Sequence, residues 1–200
     1  MNGVIDLELL FAGLLAFALG SIPFGLLIAR LGGKGDIRTI GSGNIGATNV
    51  LRTGNKKLAA LTVLLDGLKG TVPVALANHF LGLDAAILAG LGAFLGHLYP
   101  VWLRFKGGKG IATFAGISLG YSWHVLLPFA VVWIAMAVIF RYSSLAALVA
   151  SVATTVAIFF VGLPKLGILY IVLTILVFWK HRQNISRLLA GTESKIGSKG

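Results

Sequence analysis

Cysteine is absent from this chain of 200 residues. Its absence excludes disulfide bonds, thiolate metal ligands and any mechanism that passes an acyl group through a cysteine thioester. Acidic residues are also few, since 6 Asp and Glu stand against 17 Lys and Arg, and charged residues make up only 12% of the chain. A soluble domain carries about one quarter charged residues. The low share of charge therefore argues against a soluble globular protein.

Apolar residues, by contrast, make up 57% of the chain and its mean hydropathy is +0.93. A transmembrane helix requires about 20 consecutive apolar residues, and apolar stretches occur at 7–28, 58–80, 85–103, 111–119, 123–140, 145–161 and 166–179. The sequence therefore predicts an all-α integral membrane protein with about seven transmembrane helices, folded as a single polytopic membrane domain over residues 1–200. The fourth stretch is shorter than a bilayer requires, so we expect it to be tilted and broken, or partly re-entrant.

The basic residues predict the orientation of this helix bundle. Fifteen of the 17 Lys and Arg residues fall in or beside the first, third and fifth loops or in the C-terminal tail, which leaves only Lys69 within a helix and Lys165 on the opposite side. By the positive-inside rule those loops and the C-terminus are cytoplasmic, and the N-terminus with Asp6 and Glu8 lies outside. Because no long basic run occurs, the positive charge is interpreted as a topology signal and no nucleic-acid partner is expected.

The first cytoplasmic loop contains GSGNIGATNVLR at positions 41–52. Its GxGxxG spacing formally matches a dinucleotide-binding fingerprint, but that fingerprint requires a preceding strand, whereas this segment follows a membrane helix. Glycines mixed with Ser, Asn and Thr let the backbone approach an anion closely, and Arg52 is suited to bidentate contact with phosphate. The pattern favours an anion site over a flexible glycine turn.

A second glycine-rich segment, FKGGKG at 105–110, precedes the fourth apolar stretch. Backbone amides freed by three glycines, a helix N-terminus and the ammonium of Lys109 are typical of a phosphate-binding nest. The segment lacks the spacing and the Ser or Thr of a Walker loop, so nucleotide hydrolysis is not implied. The alternative is an ordinary basic turn that fixes the topology.

The tail carries KHRQNISR at 180–187. If the seventh helix continues into this segment, His181 and Asn184 lie one turn apart on one face and are able to close over the same pocket. An equally good alternative is an amphipathic helix on the membrane surface, with snorkelling basic residues.

Polar residues are rare inside the apolar stretches, and Asp66 and Lys69 stand out because they are spaced i, i+3 in the second one. Charges within a membrane are costly and often functional, but this spacing allows mutual neutralisation, so a structural ion pair is favoured. His97, near the cytoplasmic end of the third stretch, is placed to reach the same face or to pack between helices. The GxxxG spacings at 92–96 and 116–120 predict close approach of helices.

The ordered set of motifs GSGNIGATNVLR, DGLKG, LGHLYPVWLRFKGGKG, RYSSL and HRQNISRLLAGTESKI closely resembles the PlsY family over residues 19–196. The resemblance implies a bacterial acyl-phosphate:glycerol-3-phosphate acyltransferase. Such an enzyme transfers a fatty acyl group from acyl phosphate to the 1-hydroxyl of sn-glycerol 3-phosphate, giving lysophosphatidic acid and inorganic phosphate in the first acylation of phospholipid biosynthesis. It implies a multi-pass protein of the bacterial cytoplasmic (inner) membrane whose active site faces the cytoplasm.

The resemblance also implies a set of site residues. Ser42, Arg52, Lys109, His181 and Asn184 match family residues that line the phosphate pocket, with Thr48, Asn49 and Ser144 as weaker candidates. We expect catalytic roles for Lys109, Arg52, His181 and Asn184, and substrate or phosphate binding by Ser42, Gly43, Asn44, Thr48, Asn49, Gly107, Gly108, Gly110 and Ser144. The expected partners are acyl phosphate, glycerol 3-phosphate and membrane lipid, without a metal, a cofactor or an obligatory protein partner.

Two mechanisms remain open at this point. The only carboxylates on the predicted cytoplasmic loops and tail are Asp36 and Glu193, and neither lies inside a strong motif. Because an acyl phosphate is already activated, positioning and charge neutralisation by Lys109 and Arg52 are sufficient in the first mechanism, and the proton goes to the leaving phosphate. In the second, His181 is a general base, since its unperturbed pKa suits that task.

A transporter for a phosphorylated metabolite is the main competing function, because basic residues beside a helix bundle also suit anion passage. A transporter needs polar groups that are reachable from both sides, whereas the outer loops here are short and the membrane segments are almost bare apart from Asp66 and Lys69. A purely structural membrane scaffold gives no reason for three phosphate-suited motifs and ranks last.

Overall fold

The computed structural model describes residues 7–197, so Asp6 and Lys199, which contribute to the predicted orientation, lie outside the described residues. Every regular element within that range is helical. The α-helices are α1 (Leu7–Gly20), α2 (Phe24–Leu31), α3 (Ala47–Leu51), α4 (Lys56–Phe80), α5 (Leu83–Leu98), α6 (Ile111–Tyr121), α7 (Trp123–Phe140), α8 (Ser143–Phe160), α9 (Pro164–Lys180) and α10 (Arg182–Leu189). Short 3-10 helices cover Ile37–Thr39 and Val101–Leu103.

The long helices make this chain an integral membrane protein. Within residues 7–197, five segments are long and apolar enough to cross a bilayer: Leu7–Leu31, Lys56–Phe80, Leu83–Leu103, Trp123–Phe140 and Ser143–Phe160. A sixth is added if α9 and α10, which meet at a bend of 61°, are counted as one span. Helix α6 has only 11 residues, a length of about 16 Å against a hydrocarbon core of about 30 Å. Each of the seven apolar stretches is mainly helical, while the count of seven spans and the outward N-terminus stay predictions.

The first apolar stretch, predicted as one helix over 7–28, is interrupted, and in this respect the prediction was wrong. Helix α1 ends at Gly20 and α2 begins at Phe24, directly after Pro23. Proline has no N–H to continue the helical ladder, which leaves carbonyl groups that need other partners inside a membrane. Within this break the carbonyl of Ile22 accepts from the backbone N–H of Phe24 at 3.1 Å and from Lys69 Nζ at 2.8 Å.

Glycines allow the helices to approach each other closely, as the GxxxG spacings predicted. A Cβ atom on Gly92 would lie 2.2 Å from the carbonyl oxygen of Gly13, and one on Gly96 would lie 2.2 Å from that of Phe17. These contacts join α5 to α1. A Cβ atom on Gly116 would lie 2.0 Å from the carbonyl oxygen of Gly67, which brings α6 against α4. The absent side chains therefore set the distance between backbones in both pairs.

Hydroxyl groups link the buried faces of other helices. Tyr170 donates from its hydroxyl to Ser118 Oγ at 2.7 Å, which connects α9 to α6. The hydroxyls of Thr155 and Thr174 lie 2.9 Å apart and connect α8 to α9. Outward-facing apolar side chains such as Val138 on α7 are largely exposed, as expected for a surface that contacts lipid acyl chains rather than water.

The predicted ion pair between Asp66 and Lys69 is confirmed, with 2.6 Å between Lys69 Nζ and Asp66 Oδ1. Both side chains are buried between the helices. His97 on α5 approaches the same carboxylate, with 3.8 Å between its Nδ1 and Asp66 Oδ1. The pair therefore ties α4 to the break in the first span and faces the end of α5.

Candidate active site

Three segments that are far apart in the sequence surround one polar cavity of about 180 Å³. They are the first loop, the glycine-rich turn before α6 and the junction of α9 with α10. The cavity is lined by Ser42, Gly43, Asn44, Gly107, Gly108, Lys109, Lys180, Arg182 and Gln183. Six of these residues belong to the set predicted from the sequence, and the convergence of the three motifs is what the tertiary structure adds.

The first loop is held in shape by Asn49, which is buried in α3. Its Nδ2 donates to the carbonyl of Ile37 at 2.6 Å. Its Oδ1 accepts from the backbone N–H of Ser42 at 3.3 Å and from Arg52 Nη1 at 3.2 Å. The predicted phosphate ligand Asn49 thus orients the loop and Arg52, and it does not line the cavity.

Glycine is required where this loop turns towards Arg52. Gly41 has a φ of +52°, and a Cβ atom there would lie 2.6 Å from Arg52 Nη1. The left-handed backbone and the crowding both exclude larger residues. The loop therefore presents Ser42, Gly43 and Asn44 to the cavity on one side and packs against the Arg52 guanidinium on the other.

The glycine-rich turn is pinned to the end of α5 by its own backbone. The N–H groups of Gly107 and Gly108 donate to the carbonyls of Leu98 and His97, each at 3.1 Å. A Cβ atom on Gly108 would lie 2.1 Å from Nε2 of the buried His97 ring, so only glycine fits there. His97 accordingly occupies the space beneath the turn, between the cavity and the Asp66–Lys69 pair.

The backbone is left-handed just before this turn and again after it. Arg104 and Phe105 both have positive φ, at 49° and 62°, a conformation that is strained for residues with a side chain. Gly110 has a φ of +84° and lies against the ring of Phe94. Gly110, predicted as a phosphate ligand, caps the start of α6 and lies outside the cavity lining.

Lys109 is the central cation of the cavity. Its Nζ donates to Oδ1 of Asn184, and among the described residues no carboxylate lies within ion-pair distance of it. Burial lowers the pKa of Lys109 to about 8, with Arg187 and Arg52 adding to the decrease and Glu193 opposing it. At neutral pH the ammonium is therefore mostly protonated and is available to an anionic ligand.

The seventh apolar helix does not continue into the tail. Helix α9 ends at Lys180, and α10 leaves it at 61°. His181 lies at the bend, and its Nδ1 lies 2.8 Å from the carbonyl oxygen of Val177. Because a carbonyl only accepts, Nδ1 carries the proton and Nε2 keeps its lone pair. Burial, followed by the charge of Lys109, lowers the pKa of His181 to about 4, so its ring is neutral at neutral pH.

Glu193 forms a cluster next to Lys109 that the sequence did not predict. Its Oε1 accepts from Asn184 Nδ2 at 2.6 Å and from Ser144 Oγ at 2.8 Å, and its Oε2 accepts from Arg187 Nε at 2.6 Å. Burial raises its pKa, but these three hydrogen bonds outweigh burial and bring the pKa below its ordinary value. The chain reaches this position by folding back at Gly191, where φ is +69°.

The remaining predicted residues lie around the cavity without lining it. Arg52 Nη2 donates to Ser194 Oγ at 2.8 Å, which joins the first loop to the tail. Thr48 is exposed and its Oγ1 lies 3.5 Å from Ser143 Oγ, while Ser144 is engaged with Glu193. Direct phosphate contact by Thr48 or Ser144, as predicted, therefore has no counterpart in the cavity lining.

Lys180 and Arg182 also line the cavity, a role that was not predicted from the sequence. Lys180 Nζ donates to the carbonyl of Leu98 at 3.1 Å and lies 4.7 Å from the ring centre of Tyr99. Arg182 Nη1 donates to the carbonyl of Trp179 at 3.0 Å, and its guanidinium lies 5.0 Å from the ring of Trp179. In the sequence both residues look like ordinary basic residues at a cytoplasmic helix end. Only the fold shows that their side chains line the cavity.

The cavity lining carries three cationic side chains and no carboxylate. Gly43, Gly107 and Gly108 also line it and add little side-chain bulk. Their N–H groups donate to the carbonyls of Ile40, Leu98 and His97, so the backbone amides of Gly107 and Gly108 are not free for an anion as the sequence predicted. Ammonium and guanidinium groups in a lining with so little side-chain bulk suit a phosphate group. Nearby, the carboxylate of Glu193 and the side chains of Asn184 and Ser144 are better suited to bind hydroxyl groups than phosphate.

Comparisons with known proteins identify one matching family. The family described as glycerol-3-phosphate acyltransferase matches residues 10–191. A glycerol-3-phosphate acyltransferase of Mesorhizobium japonicum is 62% identical over 192 residues, which cover 96% of this chain and 98% of that protein. One of Brucella anthropi is 58% identical over 198 residues, which cover 99% and 98% of the two chains.

Solved structures of similar proteins share the fold. The glycerol 3-phosphate form of PlsY, an integral membrane glycerol 3-phosphate acyltransferase, has a TM-score of 0.90 and 42% identity, covering 94% of this chain and 96% of that one. Its lysophosphatidic acid form has a TM-score of 0.88 and 41% identity, covering 94% and 95%. With its helical membrane fold and phosphate-suited cavity, the chain therefore belongs to the glycerol-3-phosphate acyltransferase family.

Proposed function

We propose that this acyltransferase takes its acyl group from acyl phosphate and transfers it to the 1-hydroxyl of sn-glycerol 3-phosphate, releasing lysophosphatidic acid and inorganic phosphate. The reaction is the first acylation of phospholipid biosynthesis. We place the enzyme in the bacterial cytoplasmic membrane as a single polytopic domain, with the cavity facing the cytoplasm. The observation that carries the proposal is the cavity between the three motifs, which is lined by Lys109 and lies where the apolar helix α9 ends.

Both substrates suit this location. Glycerol 3-phosphate is a soluble phosphate ester, whereas acyl phosphate joins a phosphate to a chain that belongs in the bilayer. A phosphate-suited cavity at the ends of membrane helices allows the two to meet without withdrawing the acyl chain from lipid. The solved relatives in glycerol 3-phosphate and lysophosphatidic acid forms support the same acceptor and product for this chain.

In the proposed reaction the C1 hydroxyl oxygen of glycerol 3-phosphate attacks the acyl carbonyl carbon. The bond between that carbon and the phosphate oxygen breaks, and the hydroxyl proton passes to the departing phosphate, which leaves as inorganic phosphate. Lys109 and Arg52 stabilise negative charge on the two phosphate groups and hold the reactants in line. No protein carboxylate is needed as a base, since the leaving group itself takes the proton.

The state of His181 favours this mechanism over general base catalysis. A general base is most effective when its pKa lies near the working pH, and burial lowers the pKa of His181 to about 4. Its Nδ1–H is held by the carbonyl of Val177, which fixes the ring beside Lys109. We therefore assign His181 and Asn184 to the orientation of Lys109 and substrate rather than to proton removal.

The test uses purified protein in phospholipid vesicles supplied with acyl phosphate and labelled glycerol 3-phosphate. We expect release of inorganic phosphate and formation of lipid-soluble label only when both substrates are present. Accumulation of unmodified label inside the vesicles would instead support the transporter. Lipid-soluble label formed from acyl-CoA but not from acyl phosphate would retain the acyltransferase and overturn the proposed donor.

A further inference from the structure

His97 is a buried polar residue that the proposed mechanism does not use. It lies near the end of α5 with 3% of its surface exposed, and its Nδ1 has no hydrogen-bond partner within the described chain. Burying a polar group without such a partner is costly. Packing alone would be served better by an apolar side chain, so the contacts of the imidazole ring call for a further explanation.

One nitrogen of this ring lies directly against the glycine-rich turn. A Cβ atom on Gly108 would lie 2.1 Å from Nε2 of His97, and the backbone carbonyl of His97 accepts the N–H of Gly108 at 3.1 Å. The backbone hydrogen bond forms with any residue at position 97, whereas the ring contact depends on the histidine side chain. Because Lys109 directly follows Gly108, a shift of the turn at this contact moves Lys109 as well.

The other nitrogen of the ring faces the buried ion pair. Nδ1 of His97 lies 3.8 Å from Asp66 Oδ1, and the same oxygen lies 2.6 Å from Lys69 Nζ. A carboxylate at this distance favours the tautomer whose N–H lies on Nδ1, and its attraction for that N–H opposes rotation of the ring. Helix α4, which carries Asp66, thus helps to fix the orientation of the His97 ring.

Asp66 also holds the chain that follows Lys109. Oγ1 of Thr113, in the first turn of α6, donates to the backbone carbonyl of Asp66 at 2.9 Å. The segment that carries Lys109 is therefore supported on both sides. His97 supports it at the residue before Lys109, and Asp66 supports it one helical turn after. The position of the Lys109 ammonium depends on both supports.

Resting on the role of Lys109 in the proposed function, we propose that His97 is a positioning residue for acyl transfer. It acts through Gly108 and keeps the Lys109 ammonium where it donates to Asn184. When the ring is removed, the turn settles into the space that the ring leaves, and Lys109 moves away from Asn184. His97 lies outside the cavity lining, so it contributes to kcat/KM without contacting a substrate.

The main experiment is a double-mutant cycle between His97 and Gly108, with kcat/KM measured by release of inorganic phosphate from the reconstituted enzyme. We expect His97→Ala to lower kcat/KM about 100-fold, because a catalytic group displaced by about 1 Å loses much of its effect. In the native background Gly108→Ala places a methyl group against the ring, but in His97→Ala the ring is absent. The double variant should therefore be no less active than His97→Ala, an interaction of about tenfold.

The pH dependence of kcat/KM gives a second measurement. Burial lowers the pKa of Lys109 to about 8. The charged groups that act on this pKa are Glu193, which raises it, and Arg187, Arg52 and Lys180, which lower it. Loss of the His97 ring should admit water to Lys109 and raise its pKa towards that of an ordinary lysine. The alkaline fall in kcat/KM should then begin about one pH unit higher in His97→Ala.

Leu169→Ala is the matched control for loss of a buried side chain. Leu169 is buried on α9 and lies against α5 at Gly90, about two helical turns from His97. It should lower the thermal unfolding temperature as His97→Ala does, since both substitutions leave a cavity beside α5. We expect its kcat/KM to stay within about threefold of the native value, and its alkaline fall to begin where that of the native enzyme begins.

His97→Asn repeats the cycle in a variant that disturbs the ion pair less. Its amide keeps a polar group beside Asp66, but the side chain is too short to reach Gly108. It should therefore show the same interaction with Gly108→Ala and the same shift of the alkaline fall as His97→Ala.

The outcomes separate this positioning role from the proposed function. Native kcat/KM in His97→Ala overturns the positioning role and retains the function. Additive losses in the cycle, or an alkaline fall that still begins at about pH 8, also overturn it, because they indicate that His97 acts on folding alone. A native enzyme that releases no phosphate from acyl phosphate overturns the proposed donor, a result that is distinct from any difference between the variants.

Discussion

Lys69 and Lys109 are both withdrawn from water, and both donate hydrogen bonds to oxygen atoms. Lys69 lies between membrane helices, where it contacts the Asp66 carboxylate at 2.6 Å and the carbonyl of Ile22 at 2.8 Å. Lys109 lies at the cavity and donates to Asn184, whose side chain is neutral. One lysine thus has an anionic partner inside the protein, and the other has only a dipole.

The difference decides what each charge is able to do. In a low-dielectric interior an ion pair satisfies both members, so Lys69 holds helices together and retains little attraction for a ligand. An amide oxygen satisfies one N–H of Lys109 without cancelling its charge, so the attraction to an anion remains. Lys109 keeps the charge that attracts a phosphate, because no carboxylate of the described chain lies within ion-pair distance of it.

Replacing Lys109 by Ala gives the largest expected change in activity. We expect kcat/KM to fall by about 10³-fold or more, since the charge that faces the developing phosphate charge is lost, while the thermal unfolding temperature changes little. Phosphate release and thermal unfolding in detergent measure the two quantities. Lys106→Ala, in the same turn, should retain native activity. Equal activity of Lys109→Ala and the native enzyme would remove Lys109 from the mechanism.

Replacing Lys69 by Met tests the other lysine. The Asp66 carboxylate is then left buried without its partner, which should lower the free energy of unfolding by about 3–5 kcal/mol. The double variant Asp66→Leu with Lys69→Met removes both charges and should recover most of that loss. If Lys69→Met instead unfolds as the native protein does but loses activity as Lys109→Ala does, the contrast between the two lysines fails.

Replacing Gly108 by Ala tests how the cavity is held. The new methyl group would lie 2.1 Å from His97 Nε2, so the turn must move and Lys109 with it. We expect the KM for phosphate-bearing substrates to rise at least ~10-fold, since a misplaced binding group loses much of its effect. Gly67→Ala is the control, because its methyl group meets nothing closer than 3.6 Å. Native KM values in Gly108→Ala would show that the position of this turn does not control substrate binding.

The pH dependence of kcat/KM should report the charge of Lys109. Its pKa is about 8, and phosphate binding requires the protonated form, so activity is full below that pKa and is lost as pH rises through it. We expect kcat/KM to fall about tenfold per pH unit above pH 8. Lys109→Arg should remove this fall, because a guanidinium keeps its proton throughout. A kcat/KM of the native enzyme that stays constant up to pH 10 would contradict the prediction that the charge of Lys109, with a pKa of about 8, controls activity.

Replacing His181 by Gln gives the smallest expected change. Glutamine retains a donor for the Val177 carbonyl, and a neutral ring with a pKa of about 4 is not required as a base. We expect kcat to stay within about threefold and KM to rise modestly, as measured by steady-state phosphate release. A loss of several decades in kcat would restore His181 as the general base.

Much of the fold follows from apolar runs, because a bilayer accepts only segments that satisfy their own backbone hydrogen bonds. The stretch predicted at 123–140 coincides with α7 (Trp123–Phe140). The break before Phe24 was missed because Ile22 and Pro23 lie within a run of apolar composition. Lys69, which is distant in sequence, donates to the Ile22 carbonyl at that break.

The site was predictable where its chemistry is local. Glycine density, Ser42, Arg52 and Lys109 stand in compact motifs whose composition already suits an anion. Glu193 was not predictable in the same way, since its neighbours Ser144, Asn184 and Arg187 come together only when the chain folds back at Gly191. Basic residues at helix ends are abundant in membrane proteins, so the position of Lys180 and Arg182 in the cavity lining could not be predicted from the sequence.

The sequence by itself determined that this chain is a helical membrane protein with three phosphate-suited segments, since hydropathy and glycine placement act through neighbouring residues. Its motifs also showed the resemblance to the PlsY family, and the match to the glycerol-3-phosphate acyltransferase family confirmed it. Only the tertiary structure decided which charges are neutralised and which remain for a ligand. Coulomb attraction depends on distance in space rather than along the chain, and that distance made Lys69 a structural residue and left Lys109 at an open cavity.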